Sequence, residues 1–163
     1  MRSLLPIVLA VAALCMTSCN DGSCYDNGSS LPLAALCIGS SQQTVTGVTI
    51  MGIGAPGDSL LADSISLSEV YLPLRASVGT TSFAISRWVG AGTTMAQELH
   101  DTLTLDYEPI ALFHLAECGA MFNFDIHSLS CTHNGIDSVV LLTPLVTNSR
   151  TPALRIHFTD FTQ

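Results

Sequence analysis

The sequence contains no lysine, and its five basic side chains face thirteen aspartates and glutamates, a formal charge of −8. Nucleic-acid binding needs concentrated positive charge to release phosphate counterions, so the composition argues against that class. It argues equally against electrostatic adhesion to an anionic membrane. The missing lysine removes Ser/Lys catalysis, and no Gly-x-Ser-x-Gly elbow is present. No Cys-x-x-Cys pair or His-Glu-x-x-His helix marks a zinc site. The glycine pairs Gly52/Gly54 and Gly90/Gly92 lack the rest of a phosphate-binding loop and read as bends at strand ends. Beyond the first residues, no apolar run approaches the ~20 residues that span a bilayer.

What is present begins with an export pattern. Met1-Arg2 precedes an apolar stretch from Leu4 to Leu14, interrupted only by Pro6. This resembles a secretory signal peptide. Met16-Thr17-Ser18-Cys19 follows, and small residues just before a cysteine resemble a bacterial lipobox. The expectation is cleavage after residue 18 and a lipid on Cys19, whose acyl chains contribute about 0.8 kcal/mol per buried methylene. Residues 19–30 then read as a polar, turn-rich tether, and 31–163 as a single domain. Arg75, Arg87, Arg150 and Arg155 are the only cations of that mature chain.

Four cysteines remain after Cys15 leaves and Cys19 is acylated: Cys24, Cys37, Cys118 and Cys131. An even set in an exported chain points to two disulfides, and spacing leaves all three pairings open.

Period-two alternation dominates the rest. Candidate strands cover 31–38, 44–53, 80–88, 102–107, 110–126 divided near Gly119, 136–142 and 153–158. Phe83 and Ile85 oppose Ala84, Ser86 and Trp88. Leu103, Leu105 and Tyr107 share one side, as do Phe122, Phe124 and Ile126. Leu154, Ile156 and Phe158 oppose Arg155 and His157. The apolar phase switches near Glu69, the signature of a β-bulge. Residues 90–102 read as a loop or a helical turn around Met95 to Leu99. Each ribbon would expose an apolar face, so the expected fold is all-β: an antiparallel, disulfide-stabilised, immunoglobulin-like sandwich of two sheets.

No arrangement specifies catalysis. His114 and Cys118 stand four apart, which an extended strand does not bring together. His127, Cys131 and His133 have the nearest approach to metal-ligand spacing, but polar strand and turn positions account for them. Asp21, Asp26 and Asn27 read as turn formers rather than calcium ligands. Asp58 and Asp63 carry no sign of flanking a glycosidic bond. Tyr71 and Trp88 are the candidate ligand contacts. On one open face beside Arg75 or Arg87, they would form a glycan-stacking platform.

The order of several short motifs adds a resemblance. The lipobox and Cys24 are followed by Val48-Thr49-Ile50-Met51-Gly52-Ile53-Gly54, Asp58-Ser59-Leu60-Leu61 and Leu72-Pro73-Leu74. Asp101-Thr102-Leu103-Thr104-Leu105-Asp106-Tyr107, Glu117-Cys118-Gly119, Asn134-Gly135-Ile136-Asp137-Ser138-Val139 and Ile156-His157-Phe158 complete the series. This order resembles an uncharacterised family of small outer-membrane-associated lipoproteins of Bacteroidota. The resemblance implies a Cys24–Cys118 bridge, which leaves Cys37 with Cys131. It supplies no catalytic residue or cofactor. It implies a membrane association through the lipid at Cys19, with an outer-membrane β-barrel or envelope assembly complex as partner. The expected function is therefore a non-enzymatic binding or accessory module. The alternative is a glycan- or metal-binding module.

Overall fold

Leu103, Leu105 and Tyr107 are buried, while Thr102, Thr104 and Asp106 between them are partly exposed. That period of two is what a strand with one wet face requires. Repeated along the chain, it builds an all-β sandwich, seen in a computed structural model that describes residues 28–90, 92, 94, 96–113 and 120–161. The expected signal peptide, Cys19, Asp21, Cys24, Asp26, Asn27, Met95, His114, Glu117, Cys118 and Gly119 lie outside the described residues.

The strands are β1 (Leu33–Ile38), β2 (Ser41–Gln42), β3 (Val45–Gly52), β4 (Leu60–Leu67), β5 (Glu69–Tyr71) and β6 (Thr80–Val89). They continue as β7 (Gln97–Leu112), β8 (Met121–Cys131), β9 (Ile136–Leu141), β10 (Leu145–Val146) and β11 (Leu154–Phe158). One sheet has the order β2-β1-β11-β9, with β5 also paired to β1; the other runs β10-β8-β7-β6-β3-β4. The shared core takes Ala34, Leu36, Leu154, Ile156 and Phe158 from the first sheet. From the second come Val48, Ile50, Phe83, Ile85, Leu103, Leu105, Phe124 and Ile126. Burying each large side chain contributes about 1.5–3 kcal/mol.

Three expectations change in detail. First, the pairing is not antiparallel throughout: β1 and β11 run parallel, from Ala34 opposite Leu154 to Ile38 opposite Phe158. Second, the phase change near Glu69 is not a bulge within one strand. β4 pairs with β3 in the second sheet and β5 with β1 in the first, so the chain changes sheets at Ser68. Crossing the sandwich reverses which side of the ribbon faces inward. Third, residues 97–101 are neither loop nor helix; they pair with β6 from Gln97 opposite Val89 to Asp101 opposite Ile85.

The expected Cys37–Cys131 bridge is not formed, and both thiols are free. Cys131 stands opposite core residue Leu103 and packs against the core. Cys37 lies between Leu36 and Ile38, both of which meet the core, so it points out of the sandwich beside His157 and Gln42. A disulfide needs its two Cβ atoms about 3.5–4.5 Å apart and facing each other. A cysteine on the outer side of one sheet and a cysteine against the core on the other cannot meet that condition.

Candidate functional site

The aromatic pair does not assemble into a platform. Tyr71 alternates with core-packed Val70 and stands opposite Leu33, on the outer face of the first sheet. Trp88 is 47% exposed and alternates with Val89 on β6, on the outer face of the second sheet. Tyr71 instead borders a cleft of about 360 Å³ with Ser29, Leu31, Asn148, Ser149 and Arg150. Neither expected arginine joins Trp88. Arg87 points between the sheets, with its guanidinium carbon 5.6 Å from the centre of the Phe158 ring. Its NH1 donates to the Thr159 carbonyl at 3.2 Å. Burial lowers the Arg87 pKa, and Asp160 opposes that shift.

The remaining polar candidates also separate. Cys131 Sγ lies 3.9 Å from both ring nitrogens of His133. Burial and the Asp101 charge push the Cys131 thiol up, away from the thiolate that a nucleophile or metal ligand needs. His127 is exposed on β8, and Asp63 is exposed on the edge strand β4. Among the described residues, no three His, Cys, Asp or Glu side chains converge on one point.

Two polar groups have structural roles that period counting missed. Asp101 occupies the inward phase of β7 and is 5% exposed. Its Oδ1 accepts from Thr132 Oγ1 at 2.7 Å and Asn134 N at 2.8 Å. Its Oδ2 accepts from Gly135 N at 2.7 Å and Ile136 N at 2.9 Å. Burial raises the carboxyl pKa, but these donors outweigh it, and the net shift is downward. The side chain therefore ties the β8–β9 turn to β7. A Cβ at Gly135 would stand 3.1 Å from Leu99 Cβ, so a larger residue there would require Leu99 to shift by a few tenths of an ångström. An acidic residue two positions before Leu103, in the buried phase, was the available sequence signal.

Tyr107 is the second. Its hydroxyl donates to the Arg75 carbonyl at 2.9 Å and accepts from Arg75 N at 3.0 Å. Thr81 Oγ1 lies 2.7 Å from the same oxygen. With the phenolic proton committed to the carbonyl, Thr81 is the donor. The ring meets Phe124 edge-on, with centroids 5.4 Å apart. One buried side chain thus pins the β5–β6 connection at Arg75.

That pinned connection forms one wall of an apolar concavity. Gly52 at the end of β3, Ile53, Ala55, Pro56 and Ser59 from the β3–β4 connection, and Leu61 of β4 line it. Pro73, Leu74, Arg75, Thr81 and Phe83 close the other side, around about 200 Å³. Gly54 adopts φ +71°, and a Cβ there would lie 3.9 Å from Arg75 NH1, so the guanidinium sits at the mouth. Arg75 is exposed, and its guanidinium has no hydrogen-bond or ion-pair partner among the described side chains. Leu72 N donates to the Pro32 carbonyl at 2.9 Å, which places the pocket at the end of the sandwich where the chain enters. Sequence reading named Arg75 only as a neighbour for the aromatic pair. Its surroundings come from two connections separated in sequence by β4 and β5.

The architecture defines a two-sheet β-sandwich with an arginine-lipped apolar pocket and no assembled catalytic group among the described residues. The chain belongs to a family of unknown function, DUF6452, whose match covers residues 47–158. No curated protein and no solved structure matches it.

Proposed function

We propose that this protein is a non-enzymatic accessory lipoprotein of the bacterial outer membrane, of the Bacteroidota type. It is tethered through Cys19 and binds a membrane-associated protein, with an outer-membrane β-barrel or envelope assembly complex as partner. The observation that carries the reading is the apolar pocket beside the chain entry, with the exposed guanidinium of Arg75, which has no partner among the described residues, at its mouth. An apolar concavity with a few polar groups at its edge is the usual form of a recognition site. The polar sequence between Cys19 and the first described residue, Gly28, spans at most about 30 Å when extended. A lipid on Cys19 would therefore hold the pocket close to the bilayer and raise its effective concentration near a membrane partner. The alternative glycan reading loses support because Tyr71 and Trp88 occupy opposite outer faces.

The test is crosslinking and capture from envelope membranes, comparing the native chain with Cys19→Ala. The expected result is reproducible recovery of one barrel or assembly complex with the native chain. The Cys19→Ala chain should leave the membrane fraction and lose most of that capture. Recovery of no protein partner, together with selective glycan binding, would overturn the reading.

A further inference from the structure

We infer that the Arg75 pocket recognises the C-terminal residue of a partner polypeptide, holding a large apolar side chain inside and the terminal carboxylate at the guanidinium. The inference rests on the accessory reading and specifies what that reading's site binds.

Three features select this occupant. The first is size. At about 200 Å³, the pocket is smaller than the ~300–1,000 Å³ of typical small-molecule sites. It exceeds the ~150 Å³ cavity that accepts benzene. One aromatic or large aliphatic side chain fits, while the rest of its molecule must remain outside.

The second is charge. The mature chain has four arginines and thirteen acidic residues, which disfavours anions generally. Arg87 donates to Thr159, whereas the Arg75 guanidinium has no partner among the described side chains. A guanidinium offers a planar fork that matches a carboxylate in a bidentate pair. A polypeptide terminus carries its carboxylate on the same carbon as its last side chain, so one residue satisfies both the apolar walls and the cation.

The third is preorganisation. Both backbone polar groups of Arg75 are held by the Tyr107 hydroxyl. The backbone at Arg75 therefore need not be ordered on binding, which limits the ordering cost to its side chain. Gly54, at φ +71°, leaves room beside the guanidinium that a side chain would fill.

The experiment is a fluorescence-anisotropy titration of the full mature chain in detergent. The probes are labelled eight-residue peptides ending in Phe with a free carboxylate, the same peptide as its C-terminal amide, and a peptide ending in Ser. The free-acid Phe peptide should bind saturably, and the other two at least about tenfold more weakly. Arg75→Gln should weaken the free-acid peptide by about tenfold or more, leave the amide unchanged and keep the native melting temperature. Ser59→Trp, which obstructs the mouth, should reduce binding of both Phe peptides. Equal binding of acid and amide, or no saturable binding of any peptide, would refute the inference. Binding of 3-phenylpropanoate without binding of the Phe peptide would also refute it. Membrane capture separates the two levels: if the native chain captures its partner, Arg75→Gln captures it equally well and the native chain shows no preference for the free-acid peptide, the accessory reading stands and the terminus inference falls.

Discussion

Asp101 and Tyr107 lie on the same inward face of β7, and each uses a buried polar atom to restrain a distant connection. Asp101→Asn keeps the shape but replaces an acceptor-only group with one that also presents N–H donors toward the turn. A loss of about 3 kcal/mol is expected, measured by urea denaturation at neutral pH. The pH dependence has a defined sign. The folded-state pKa of Asp101 lies below its unfolded value of about 3.9, so its contribution is complete above that pH. It is lost as the pH falls through the folded pKa. The stability difference between native protein and Asp101→Asn should therefore shrink in acid; a constant or widening difference would contradict the assignment. Tyr107→Phe removes the hydroxyl that holds Arg75 and meets Thr81. It should cost about 1–2 kcal/mol by thermal denaturation and weaken peptide binding at the pocket without altering its charge preference.

At the scale of elements, β1 has the largest structural role for its length. It is six residues long, yet it pairs with β11 on one edge and with both β5 and β2 on the other. It lies outside the family match at 47–158. A chain beginning at residue 40 would leave the facing edges of β5 and β11 unpaired and the core without Ala34 and Leu36. It is expected to lose cooperative unfolding, read by circular dichroism during heating. Leu36→Ala in the intact chain should cost about 2–5 kcal/mol, since it removes a fully buried side chain from the centre of the core. A cooperative melt near the native temperature for either variant would count against β1 as the keystone. Pro109 shows the same economy of pairing. β6 ends its pairing with β7 at Thr80 opposite Asp106, so Pro109 stands where β7 retains only β8 as a neighbour. Such edge positions are where a strand tolerates proline.

Across the whole molecule, two thiols lie on different sheets, Cys37 on the outer side of the first and Cys131 against the core on the second, and their state tests the arrangement directly. Non-reducing peptide mapping after rapid alkylation should recover Cys37 and Cys131 as free thiols. Before unfolding, Cys37 should resist alkylation because it is buried; an intact 37–131 bond would contradict the relative placement of the two sheets. The sequence alone determined that this chain forms stacked strands. Alternation through Leu103, Leu105 and Tyr107, or Leu154, Ile156 and Phe158, is a local property that an extended backbone converts into one oily face. The change of phase near Glu69 was legible too, although its meaning as a sheet crossing was not. Local pattern carries no information about which strand meets which across a hundred residues. The parallel union of β1 with β11, the separation of Tyr71 from Trp88 and the free state of Cys37 were therefore decided only when the layers packed. The pocket belongs to the same class, because Gly54 and Arg75 lie on separate connections that become neighbours only in the folded chain.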